Sequence, residues 1–306
     1  MSYLTSIDIN KRLHEHLLHY INIYDRDWFV ICAQGSMNYG IMNEDSDVDT
    51  KVLVIPSLED IAFNRKPISH TLEMPDNGEH VDCKDVREYF KVLRKSNINF
   101  VEILFTDYYI VNNKYYDFWN LLLKNAEKIA RINPYAAVAC TKGMAYSKRK
   151  ALTHPLPGFG YNPKELSHLI RLNYFLKRYI DGEPYKDCIY PKAERVRKQL
   201  IDWKNTGCGL NKEEAEVKAD ELVENIVTVA DDFCSKHSNE NNFTIDALLN
   251  GILYNIIRCS LIRELIEKES NISTDGFKLK LLQMEEKNKE LENLISWYKY
   301  PESMGR

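Results

Sequence analysis

Gly35-Ser36 follows a short apolar run, WFVICAQ (28–34), and ten residues after Ser36 an Asp-x-Asp pair, Asp47 and Asp49, opens DVDTKVLVIP (47–56). Two carboxylates two residues apart on an extended chain project from one face, within reach of one hard cation. With open coordination positions beside them, such acids suit Mg2+ or Mn2+ bridging nucleotide phosphates. Gly35 lets the backbone approach a ligand closely, and the amides after it, with the Ser36 hydroxyl, can cradle phosphate oxygens. A third carboxylate on a neighbouring strand would complete a two-ion site and could take the proton of an attacking hydroxyl. Asp82, in EHVDC (79–83), stands where such a group is needed. Asp85 is the alternative, although its position suits the cap of a following helix.

A second pattern is one of charge. Lys128 to Lys164 contains no Asp or Glu but seven basic residues, Lys128, Arg131, Lys142, Lys148, Arg149, Lys150 and Lys164, in a chain of net charge −4. That is a local positive field. Lys142, Tyr146 and Lys150 recur at i, i+4 and i+8. Lys164, His168 and Arg171 recur at i, i+4 and i+7, opposite Leu169, Leu172 and Leu176. Each set forms one stripe of a helix. The stripes suit a triphosphate or an RNA backbone; the alternative is two solvated helix faces. Lys142, Lys164, His168 and Arg171 are the expected nucleotide-binding set with Gly35 and Ser36, leaving Lys148, Arg149 and Lys150 for an acceptor. His14, His16 and His19 cluster on an N-terminal helix with no carboxylate or cysteine partners expected, which argues against a metal there. Residues 213–246 hold ten acids against Lys218 and Lys236, a face that would repel nucleic acid.

The elements that must position these residues follow from periodicity. Residues 7–24 have helical spacing, 28–34 and 47–56 read as strands, and 69–83 as a hairpin about Asn77-Gly78. In the second strand Val48, Val52 and Val54 alternate with Asp47, Asp49 and Lys51, which predicts an apolar face and an exposed polar one. From about residue 113 the pattern is helical: 115–130, 134–151, 163–180, 192–204, 211–236, 244–268 and 277–298. The expectation is an α+β chain, a sheet domain at 1–112 followed by a helical domain at 113–306. With 306 residues the chain can bury a core without disulfides or structural metal. The 12 glycines and 10 prolines are too few for a turn-dense sandwich or barrel. Seven cysteines, an odd number with no Cys-x-x-Cys, read as reduced thiols and predict a cytoplasmic protein. No signal peptide and no membrane-spanning helix is expected.

The Gly-Ser-x10-Asp-x-Asp arrangement resembles the nucleotidyltransferase superfamily of DNA polymerase β. GSMNYGIMNEDSDVDTKV (35–52) is similar to the bacterial and phage family of nucleotidyltransferases linked to RNA-repair genes, as are residues 86–105, 140–152 and 161–183. The likeness spans residues 28–185. It implies a polymerase-β-like sheet with appended helices and the transfer of an NMP from an NTP, ATP among them, to an acceptor hydroxyl. It implies that Asp47, Asp49 and Asp82 hold two Mg2+ or Mn2+ ions, and its gene association favours an RNA acceptor. Protein or small-molecule nucleotidylation, or NTP binding without turnover, are the competing expectations. The oligomeric state is not legible in the sequence.

Overall fold

The computed structural model describes residues 6–24, 26–42, 46–269, 283–289 and 292. The chain divides into two compact units, Met1–Ile256 and Ile257–Arg306. Every residue of the candidate site lies in the first.

The architecture is α+β. Helix α1 (Ser6–Ile23) leads into β1 (Trp28–Ala33), the short α2 (Ser36–Tyr39), β2 (Thr50–Val54), α3 (Leu58–Ala62) and the hairpin β3 (Ser69–Glu73) and β4 (His80–Asp85). Then come α4 (Val86–Leu93), α5 (Ile98–Val101) and β5 (Tyr109–Val111). The sheet order is β3-β4-β2-β1-β5, with β2 and β4 parallel and the other neighbours antiparallel. Helices follow: α6 (Tyr116–Lys124), α7 (Ala126–Ala130), α8 (Pro134–Leu152), α9 (Pro163–Ile180), α10 (Tyr185–Ile189), α11 (Glu194–Thr206), α12 (Lys212–Lys236) and α13 (Phe243–Glu269).

Alternation sets the two faces of the sheet. Ile31, Ala33, Val52, Val54, Val81 and Cys83 pack against Ile9, Leu13, Leu17 and Tyr20 of α1. On the opposite face, Lys51 and Asp82 are register partners across the parallel β2–β4 pair. The helical region is built on α9, whose Leu166, Leu169, Leu172, Phe175, Leu176 and Tyr179 are all buried. That apolar stripe spans nearly four turns, the wide face of a core helix.

Four expectations need revision. Strand β2 begins at Thr50, so Asp47 and Asp49 lie in the segment leading into it, not within it. Lys51 is not exposed on the polar face: all five residues of β2 are buried. The helix expected at 115–130 breaks at Asn125 (φ −110°, ψ 10°), which caps α6 through its side chain. Phe243–Glu267 is, by length and composition, apolar enough to cross a membrane. Leu249, Ile252 and Ile256 within it are buried. The helix expected at 277–298 falls largely outside the described residues; 283–289 are helical.

Candidate active site

An open cleft of about 600 Å3 is lined by Gln34, Asp49, Thr71, Glu73, His80 and Asp82. The sheet explains this set. Thr71 pairs with Asp82 and Glu73 with His80 across β3–β4, so these four side chains share a face. Asp49 reaches the same cleft from the end of β2: its carboxylate accepts the His80 N–H at 3.3 Å, and His80 Nδ1 lies 3.4 Å from it. Asp49, from the segment leading into β2, and Asp82, from β4, therefore line one cleft. Asp47 is exposed and is not among the lining residues. Asp85, on the other parity of β4, is 2% exposed; it caps α4 through the Arg87 N–H and forms a two-pronged ion pair with the Arg87 guanidinium at 2.7 and 2.9 Å.

Lys51 is the buried cation paired with Asp82 of the cleft. Its ammonium is 2% exposed, pairs with Asp82 and sits 4.3 Å from the Phe100 ring centroid. Taking an ammonium out of water costs several kcal/mol, and the carboxylate and the ring offset it.

The donor set fits a hard divalent cation. Asp49, Glu73 and Asp82 present carboxylate oxygens to open space, the ligands Mg2+ prefers. Among the described residues, no three His, Cys, Asp or Glu side chains are already gathered about one point. Lys51 holds part of the position that a cation would take at Asp82.

The Gly-Ser turn is fixed from behind. Gly35 has φ +76° and ψ −131°, a conformation open to glycine, while a Cβ there would meet nothing within 4 Å. Backbone geometry, not crowding, requires the glycine. Gly40 ends α2 at φ +67°, where a Cβ would lie 2.6 Å from Arg197 and 2.7 Å from Tyr190. The Gly35 N–H is donated to Glu102 Oε1 at 3.2 Å, so this amide serves the fold. Glu102 is 2% exposed, and burial pushes its carboxyl up to about 7, against the opposing pull of the Tyr39 hydroxyl, Arg171, the Gly35 amide and Lys51.

The basic residues separate into two groups. Lys142 pairs with Asp231 at 2.5 Å and Arg149 with Asp220 at 2.6 Å, both on α12. The acids of 213–246 are thus in part the counter-ions of the α8 stripe. Lys148 lies 3.0 Å from Glu165. The α9 stripe behaves otherwise. Arg171 is 3% exposed, stacks 3.6 Å above the Tyr39 ring of α2, and has Nε and Nη1 buried without a hydrogen-bond partner among the described residues. His168 is half-buried with an enclosed, unpartnered Nδ1; burial, then Arg171, Lys148, Lys164 and Lys204, hold it well below the ordinary histidine range. It is neutral at pH 7 and not a third cation. Lys204 of α11 donates to Ser46 Oγ at 3.0 Å, next to Asp47. Arg171 and Lys204 therefore tie the helical region to both ends of the 35–49 segment.

Compared with known proteins, the chain matches no family model and no curated sequence.

Three buried groups around the site were not singled out from the sequence: Lys51, Glu79 and Glu102. Glu102 left a usable signal, a lone carboxylate inside the apolar run NFVEILF (99–105). Lys51 was visible as an interruption of a strand, but its depth depends on β2 being interior. Glu79 gave none, since an acid after Asn77-Gly78 reads as a turn residue.

Proposed function

We propose that the protein is a metal-dependent nucleotidyltransferase, of the type resembling the DNA polymerase β superfamily, that moves an NMP from an NTP to an acceptor hydroxyl. One observation carries the reading: Asp49, just before β2, and Asp82 of β4 line one open cleft together with Gln34, the residue before the Gly-Ser turn. Asp49 and Asp82 would hold Mg2+ or Mn2+, with the exposed Asp47 as the candidate ligand for a second ion. A bound ion would neutralise charge on the reacting phosphates.

The chain's own groups supply the rest. Arg171, stacked on Tyr39 of α2, and the exposed Lys164 would be the charge-assisted donors to phosphate oxygens. Asp82, neutralised by Lys51, and His80 border the side on which an acceptor hydroxyl would stand, within reach of a proton. Transfer of this kind depends on positioning and charge neutralisation more than on covalent chemistry. We place the activity in the cytoplasm, in keeping with seven free thiols.

For the acceptor, the resemblance favours an RNA end. The ion pairs of Lys142, Lys148 and Arg149 support a second reading, a compact acceptor such as a protein hydroxyl or small molecule, because they neutralise the face that would track a phosphate backbone. Incubation of the folded chain with each α-labelled NTP, Mg2+ and separate RNA, protein and metabolite pools decides between them. Label in RNA supports the first reading and label in protein or metabolites the second. Label in none of them, from a folded chain, contradicts transferase function.

A further inference from the structure

We propose that Glu79, held by His16, is a positioning residue that fixes the backbone between Asp47 and Asp49. The inference rests on the reading of the cleft as a metal–nucleotide site.

Glu79 stands in the turn before β4 and is 5% exposed. Its Oε1 accepts the Val48 N–H at 3.0 Å, and Val48 is the residue between the two acids. Its Oε2 lies 3.1 Å from His16 Nε2 and accepts from Asn77 Nδ2 at 3.0 Å, with Arg12 Nη1 at 3.4 Å. His16 is fully buried, and its Nδ1 lies 2.9 Å from Thr50 Oγ1. Burial holds the imidazole neutral. A proton on Nε2 then serves Glu79, and Nδ1 accepts the Thr50 hydroxyl, which satisfies every polar atom of the dyad. Thr50 follows Asp49 directly. The two side chains thus grip the chain at Val48 and Thr50, on either side of Asp49.

The grip matters because residues 46–49 precede the regular strand and carry two like charges. Repulsion would splay Asp47 and Asp49 in the absence of a cation, and a small misplacement of ligands is costly in binding. A buried acceptor on the intervening amide limits that freedom. A purely structural carboxylate would stabilise the turn without affecting what the two acids bind.

The test measures Mn2+ binding by electron paramagnetic resonance of the full chain, together with thermal melting. For Glu79→Ala, Mn2+ affinity should fall about 10–100-fold, the range for groups that orient metal ligands. Glu79→Gln keeps an oxygen for the Val48 amide and should stay within about threefold of the natural chain, while His16→Gln should lose about three- to tenfold. In the natural chain the Val48 amide should exchange with deuterium as slowly as those of β2, a measurement independent of how any variant folds. A folded Glu79→Ala with unchanged Mn2+ affinity overturns the inference alone, and so does rapid exchange at Val48. A natural chain that binds no Mn2+ overturns the cleft reading and this inference with it.

Discussion

Replacing Glu102 with Gln isolates the buried carboxylate behind the Gly-Ser turn. Gln keeps an oxygen for the Gly35 N–H and removes only the ionisation. Burial raises the Glu102 carboxyl from 4.5 to about 7 in the folded chain. Between those values the unfolded chain has released the proton and the folded chain still binds it. The folded state therefore holds more protons, and stability falls as pH rises through this window. Above pH 7 both states are ionised and the slope vanishes. Each pH unit inside the window is worth about 1.4 kcal/mol, so the natural chain should lose about 2.5 kcal/mol from this group between pH 5 and pH 8. The variant lacks that loss. Any fixed penalty from placing an amide NH2 near Arg171 is independent of pH and cancels when the two pH values are compared. Urea titrations of both proteins at pH 5 and pH 8 should show the difference in unfolding free energy shifting toward the variant by about 2.5 kcal/mol. A shift below about 0.5 kcal/mol would mean that Glu102 ionises as in water and that the buried Gly35–Glu102 hydrogen bond is not made as described.

Other expectations follow from the same geometry. Asp49→Asn keeps an acceptor for the His80 N–H and should abolish transfer with the melting temperature unchanged or raised; full turnover in the folded variant would contradict its role. Asp82→Ala strands the buried Lys51 ammonium and should cost about 2–4 kcal/mol, most of it recovered in Asp82→Ala with Lys51→Met, as urea unfolding would show. Arg171→Ala should weaken NTP binding by about 1.5–3 kcal/mol in a fluorescent-nucleotide titration, whereas Lys142→Ala, already paired to Asp231, should change it less than about twofold. Because His168 is held below the ordinary histidine range, the unfolded chain takes up its proton first as pH falls through 6.5, and stability drops there; His168→Gln should flatten that decline in urea midpoints measured from pH 7.5 to 5.5.

Much of the fold was legible in the chain. The apolar alternation of 28–34 and 47–56, the Asn77-Gly78 hairpin and the long helical periods correspond to β1, β2, the β3–β4 hairpin and α8, α9, α11, α12 and α13. The short elements escaped: α2, α3, α5 and α10 have five residues or fewer, and β5 only three, too short to show a period. Asp82 was preferred to Asp85 because Asp85 suited the cap of a following helix, and the structure puts the first in the cleft and the second at that cap. Charge was harder to read. Sequence shows that Lys142 and Arg149 lie in an acid-free run, but not that α12 brings Asp231 and Asp220 across to them. Nor does spacing show that Arg171 is buried: its i+7 relation to Lys164 suggested one exposed stripe, whereas packing of α9 on α2 stacks Arg171 onto Tyr39. Pairings between distant segments decide burial, and a single sequence does not encode them locally.

The central claim is that Asp49 and Asp82 organise NTP-dependent transfer in one cleft. Its most direct test follows label from an α-labelled NTP and from the same NTP labelled at the γ position, with Mg2+ and the acceptor pools, for the natural chain and Asp49→Asn. The expected result is α-label in an acceptor, no γ-label there, and no transfer by the variant. Equal transfer by the folded Asp49→Asn variant, γ-label in the acceptor, or no acceptor labelled from any NTP by the folded natural chain would contradict it.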